Sequence, residues 1–267
     1  MIPFSDADVR NPTLPVVTLA LIGISCLVFL YELQIGGFGI LTGGGSIDIN
    51  VFFFKWGFIP EELTTGEAIT GLRTRLNVLS IETPLPTWTT LFTSMFIHGG
   101  FFHLAGNMMF LFVFGDNMEH RLGRVKFLGF YLITGVAAAL SQLAIDPHSE
   151  TPLVGASGAI SGVLGAYLLT YPFNRVKALI IFYIITVVEL PAVWLLGGWF
   201  VWQLIQGVMS LGLSDSVSVA FFAHIGGFVA GLILIAAYRL VIREPVLPFN
   251  RRRPPWDNWY RAGRRRY

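Results

Sequence analysis

Ser157 stands in the run Val154-Gly155-Ala156-Ser157-Gly158-Ala159-Ile160-Ser161-Gly162, a serine among small residues inside an apolar stretch. Pro152 just upstream places a helix start near Gly155, which puts Ser157 in the first turn beside backbone N–H groups that no helical carbonyl satisfies. A hydroxyl beside free donors and flanked by glycines offers a nucleophile with half an oxyanion hole attached. The bland alternative is a packing helix whose serine bonds a carbonyl one turn back. His103 and Asn107 are spaced i, i+4, hence on one helical face about 6 Å apart. Stacked in an apolar helix, such a pair marks a polar cavity. His224 follows Ala223 and precedes Gly227 and Gly231, which form a small-residue ladder. Gly158, Gly162 and Ala166 form another, and docking the two ladders would bring His224 close to Ser157.

These residues need elements to hold them, and composition says of what kind. The chain has 267 residues, 54% hydrophobic and only 13% charged, which excludes an ordinary soluble domain and indicates a multispanning membrane protein. Cys26 is the single cysteine, so no internal disulfide forms. The net charge of +2 hides a cluster of arginines at the C-terminus (Arg251, Arg252, Arg253, Arg261, Arg264, Arg265, Arg266). Beside a nearly uncharged core, such a tail marks the cytoplasmic side of a membrane rather than a nucleic-acid site.

Apolar length gives six expected spans. A polar tail, residues 1–12, precedes the first, about Thr13 to Leu33, whose flank lacks the features of a cleaved leader. A long connection from Gln34 to Thr87 carries Gly43-Gly44-Gly45 and the aromatic run Val51 to Pro60; it reads either as a segment in the membrane interface or as a structured cap. The second span runs from Trp88 to Phe114, and Gly115 to Arg124 is a charged turn that Glu119 and Arg121 anchor or solvate. The third covers Val125 to Ile145, and the fourth is the serine helix, ending near Tyr171-Pro172. The β-branched run Ala178 to Val188 is too short for a span and reads as an extended or interfacial connector before a fifth span, about Leu190 to Met209; a Pro-kinked helix from Val176 is the competing parse. The sixth runs from Val217 to Ile242. Lys and Arg follow spans two and four and fill the C-terminal tail, while the loops after spans three and five have none. Both termini are therefore expected in the cytoplasm, with His103, Ser157 and His224 in the outer halves of their spans.

At this point the residues resemble the rhomboid family of intramembrane serine proteases. The likeness rests on G-x-S-G at Gly155-Ala156-Ser157-Gly158, on H-x-x-x-x-H-x-x-x-N at His98, His103 and Asn107, and on A-H-x-x-G-x-x-x-G at Ala223, His224, Gly227 and Gly231. It covers about Thr13 to Arg243, with residues 244–267 as a basic cytoplasmic tail. The resemblance implies an all-α membrane protein, a six-transmembrane-helix rhomboid bundle with a long first external loop and a protease domain over residues 13–243. It implies a Ser157 nucleophile, His224 as general base and then acid, and an acyl-enzyme. The oxyanion would be held by the Ser157 backbone N–H with His103 and Asn107. His98 would order the mouth of the site, and Trp199 would sit on a fifth span that gates lateral entry. No metal or other cofactor is expected. The partners implied are transmembrane protein substrates and the lipid bilayer, with no nucleic acid and an oligomeric state left open. The setting expected is the plasma (inner) membrane of a prokaryote.

Two departures from the family pattern stand out. Relatives often carry an aromatic four residues after the serine to brace the catalytic histidine, and here that position is Ser161. Some relatives have a Trp-Arg pair in the first external loop, where this chain has Trp56-Gly57-Phe58-Ile59-Pro60. Two other functions share the pattern: an inactive rhomboid-like protein that binds transmembrane clients, and a small transporter with a polar path through His103, Asn107 and His224. The first typically lacks the serine or histidine present here; the second calls for internal repeats and broken helices, and no convincing repeat is evident.

Overall fold

The computed structural model describes residues 2–8, 11, 13–73, 78–181, 185–211 and 220–247. The start expected for the sixth span at Val217 and the arginines of the C-terminal tail lie outside them. The N-terminal segment expected as a polar tail contributes a strand, β1 (Ile2–Asp6), ahead of the first apolar helix, α1 (Val16–Gly36). The long connection then folds into α2 (Ile47–Trp56), α3 (Pro60–Thr65) and a small hairpin of β2 (Gly71–Arg73) and β3 (Val78–Ser80). It is a structured cap fastened to the bundle: Phe58 exchanges both backbone hydrogen bonds with Leu153, at 3.0 and 2.8 Å, and the Thr93 hydroxyl donates to the Trp56 carbonyl at 2.6 Å.

The expected second span is bent. One limb is Thr87–Phe96, including α4 (Thr90–Thr93); the other is Phe101–Leu122, made of α5 (Phe101–Phe110), a π-helical turn at Leu111–Gly115 and α6 (Asp116–Leu122). The limbs meet at 82° across Ile97–Gly100. Glu32, fully buried on α1, accepts from the His98 backbone N–H at 3.1 Å and so satisfies a donor that the break frees. The charged turn expected at Gly115–Arg124 is helical as far as Leu122, because Glu119 has a buried task. Its carboxylate accepts from the backbone N–H groups of Val17 (3.0 Å) and Thr18 (2.8 Å) and from the Thr18 hydroxyl (2.9 Å), capping the start of α1.

The remaining apolar helices are α7 (Arg124–Ile145), α8 (Ser157–Thr170), α9 (Ala192–Ser210) and α10 (Phe221–Val241). Among the described residues α1, α7, α9 and α10 are long and apolar enough to cross a membrane, and the bent pair makes a fifth candidate. Their outward faces expose large apolar side chains such as Leu27, Ile133, Trp194 and Ile233, as a lipid-facing bundle must. The chain is thus a multi-pass, mainly helical membrane protein. The serine helix α8 has 14 residues, a rise of about 21 Å against a hydrocarbon layer of about 30 Å. Non-helical residues 151–156 precede it, and it is the most enclosed helix, with Ala159 through Tyr167 all buried.

Between α8 and α9 residues 175–181 and 185–191 are extended, as the β-branched run suggests, and no kinked helix starts at Val176. Strands β4 (Arg175–Ile181) and β5 (Ile185–Pro191) pair antiparallel with Lys177 opposite Glu189, and β1 adds to the other edge of β4 in the order β1-β4-β5. Asp6 on β1 accepts from the Tyr167 hydroxyl and from Asn117 Nδ2 at 3.1 Å. The sheet is thereby tied to the end of α8 remote from Ser157.

Candidate active site

Ser157 opens α8, as the upstream proline suggests, and no side chain caps that N-terminus. The turn into it depends on Gly155, whose φ of +127° suits only glycine and whose N–H donates to the Ser94 carbonyl at 2.9 Å. A Cβ at Gly155 would also fall 2.8 Å from the His103 ring. The glycine therefore lets the His103 imidazole lie across the entrance to the helix, next to Ser157.

α8 is held between α7 and α10 through its glycines. Gly158 and Gly162 face Ala138 and Thr134 of α7, where an added Cβ would fall 2.6 and 2.4 Å from those side chains. Their carbonyls meet Gly227 and Gly231 of α10. The two ladders do dock, and the α8 ladder serves α7 as well. The consequence is that His224 on α10 comes to Ser157: Nε2 lies 2.8 Å from Ser157 Oγ, across 67 residues of sequence. The Ser161 hydroxyl donates to the Ser157 carbonyl at 2.6 Å, one turn back. Ser157 itself does not take up the carbonyl-bonding role of a plain packing helix.

The other expected residues surround this pair. His103, Asn107, Ser157, Ser161, Trp199 and His224 line one cavity of about 500 Å³, together with Phe102, Phe110, Ile160 and Leu164. Asn107 is buried, and its Nδ2 has no hydrogen-bond partner among the described residues. A buried amide donor left unmade costs free energy unless something arrives to accept from it. His98 lies at the bend rather than on the helix of His103. Its Nδ1–H donates to the Phe96 carbonyl at 3.2 Å, and its ring meets that of His103 edge to face at 5.3 Å. It therefore stands behind His103, outside the cavity lining. Trp199 on α9 lies 6.1 Å from the His224 ring and 6.1 Å from Phe228, centroid to centroid.

One residue escaped the reading of the sequence. Gln203, buried on α9, places Oε1 3.1 Å from Nδ1 of His224. The available signal was two amides, Gln203 and Gln206, in an otherwise apolar helix, the first of them one turn beyond Trp199.

The arrangement is a hydroxyl and an imidazole in contact inside a mostly apolar cavity with an unspent amide donor, features that acyl transfer calls for. Residues 86–240, more than half of the chain, match the family model described as Rhomboid domain. Among curated proteins, RHOMBOID-like protein 5 of Arabidopsis thaliana is 32% identical over 184 residues, covering 66% of this chain and 52% of that protein. Rhomboid protease AarA of Providencia stuartii is 32% identical over 173 residues, 58% of this chain and 57% of the relative. Putative rhomboid protease YdcA of Bacillus subtilis is 37% identical over 88 residues, 33% of this chain and 44% of the relative. In these alignments the chain spans about half the length of the relatives it matches.

Proposed function

The chain belongs to the rhomboid family, and on that premise we propose that it is an intramembrane serine endopeptidase working through Ser157 and His224. The observation that carries this reading is the 2.8 Å contact between Ser157 Oγ and His224 Nε2. In the proposed reaction Oγ attacks the carbonyl carbon of a peptide bond while Nε2 takes the hydroxyl proton, giving a tetrahedral oxyanion and an imidazolium. The imidazolium then gives that proton to the leaving amine nitrogen, the C–N bond breaks, and the acyl group remains on Ser157 as an ester. Water, activated by the same imidazole, attacks the ester and restores the serine.

The oxyanion is assigned to the backbone N–H of Ser157, the Nδ2 donor of Asn107 and the His103 ring. Unspent, preorganised donors are what such a charge requires. Substrates are transmembrane segments of other proteins, reaching the cavity past α9. Residues 13–243 form the protease domain in six crossings, α8 included, with both termini assigned to the cytoplasmic side. The charge pattern of the loops supports that orientation, and the plasma (inner) membrane of a prokaryote is our assignment of its home.

The test is purified protein in detergent with a single-span substrate and a fluorophosphonate probe, wild type against Ser157→Ala. Cleavage and labelling in the wild type alone are expected. Labelling of the alanine variant would remove Ser157 from the role of nucleophile, and client binding without cleavage by the wild type would leave the inactive rhomboid-like reading in its place.

A further inference from the structure

We propose that Gln203 is a positioning residue for His224, its side-chain oxygen holding the imidazole in the tautomer that can take the Ser157 proton. This rests on the protease reading and adds to it a third participant from another helix. Nε2 of His224 accepts from a serine hydroxyl only while it carries no hydrogen, so the hydrogen of the neutral ring must then be on Nδ1. Nδ1 lies 3.1 Å from Gln203 Oε1, and Nε2 lies 2.8 Å from Ser157 Oγ. One tautomer satisfies both contacts at once, with Nδ1–H donating to the amide oxygen. Were the amide turned about, its NH2 would donate to Nδ1, the ring hydrogen would move to Nε2, and the serine would face a donor instead of a base.

An amide suits the place better than a carboxylate would. Among the described residues the cavity lining contains no Asp or Glu, and its titratable side chains there are His103, from α5, and His224 itself. A carboxylate here would keep the acceptor but add a buried charge to an apolar bundle, a cost to stability rather than to alignment. The Gln203 oxygen accepts from the neutral ring and from the imidazolium alike without adding charge. Gln203 is also buried, which keeps its amide in place beside the ring. Gln203 thus holds the Nδ1 edge of His224, while Ser161 spends its hydroxyl on the Ser157 carbonyl.

The experiment measures the rate of fluorophosphonate labelling of Ser157, and kcat and KM for a single-span substrate, in full-length protein. The variants are Gln203→Met, which keeps the length and removes the acceptor; Gln203→Asn, which draws the amide back by one methylene; and Gln203→Glu, which keeps an acceptor in place. Met and Asn should label roughly tenfold to a hundredfold more slowly, a modest part of what a positioned base supplies, with kcat reduced and KM unchanged, and Glu should restore most of the rate. A Met or Asn variant that labels at the wild-type rate, or a Glu variant as slow as Met, overturns the proposal. If Met does not fold, the contrast between Asn and Glu decides it. Ser157→Ala in the same series keeps the two ideas apart: its labelling would sink the protease reading, whereas its silence beside a fully active Met variant would sink only the role of Gln203.

Discussion

The carbonyl oxygen of Gly158 lies 2.1 Å from the point where a Cβ on Gly227 would be, so α8 and α10 touch backbone to backbone one residue beyond Ser157. Gly231 repeats the relationship with the Gly162 carbonyl at 2.0 Å. In a bilayer there is little hydrophobic drive to press helices together, and close backbone approach supplies dispersion in its place. These contacts also set the distance between a nucleophile on one helix and its base on the other.

Gly227→Ala should therefore separate the helices and break the serine–histidine contact. Overpacking of this kind costs about 1–3 kcal/mol, and the expected result is a lowered Tm with loss of fluorophosphonate labelling. Gly129→Ala on α7, where an added Cβ meets nothing within 4 Å, should change neither. If Gly227→Ala labelled normally, catalytic spacing would not depend on the ladder.

Asn107→Ala should reduce kcat by roughly the hundredfold typical of losing one oxyanion donor, with KM nearly unchanged. The unpartnered Nδ2 motivates this, since a donor already engaged elsewhere would have little left to give a transition state. Stability should hold or rise slightly, because the substitution removes a buried polar group that has no partner. A wild-type turnover would take Asn107 out of the mechanism.

Glu62 in the first loop gives a pH prediction. It is buried, one oxygen accepts from the Ile69 N–H at 2.9 Å, and the other has no partner among the described residues. Desolvation raises its carboxyl above the ordinary value of 4.5 despite that hydrogen bond. Below the ordinary value, folded and unfolded chains both hold the proton and the group is neutral to stability. Through the interval up to the raised value the unfolded chain gives up its proton first, so stability falls as pH rises and stays lower above it. The substitution Glu62→Gln keeps the acceptor and removes the charge. This variant should match the wild type at about pH 4 and exceed it in Tm at about pH 8; a difference that shrinks with rising pH would contradict the sign.

What the sequence disclosed follows from periodicity and side-chain chemistry. The glycine ladders announced which helices touch, because a small residue every four positions leaves few other uses in an apolar helix. The β-branched stretch before Pro191 announced an extended connector. The bend at Ile97–Gly100 was hidden, since apolar length reads as a continuous helix whether or not a remote carboxylate, here Glu32, accepts from the freed backbone. Glu119 was hidden in the same way: its partners at Val17 and Thr18 are about a hundred residues off, and locally it resembles a solvated turn. Gln203 was legible only as an oddity, because its meaning lies in the distance to a histidine on another helix.

Trp199 unites the two themes of access and alignment, and its substitution separates them. Its ring packs against His224 and Phe228, while Gly197 and Gly198 beside it meet nothing within 4 Å of an added Cβ, so this stretch of α9 is loosely held apart from that ring. A peptide bond in a stable transmembrane helix is hydrogen-bonded and shielded, so a substrate must unwind locally and enter between helices before Ser157 can attack. If Trp199 chiefly closes the entrance, Trp199→Ala speeds cleavage of a membrane-embedded substrate and leaves a short soluble peptide nearly unchanged. If it chiefly braces the imidazole, the same variant slows both by a similar factor. The looseness of α9 favours the first outcome, with a gain on the embedded substrate alone. Both substrates are to be measured with both enzymes in liposomes, where an equal or opposite effect on the two would rule out gating at Trp199.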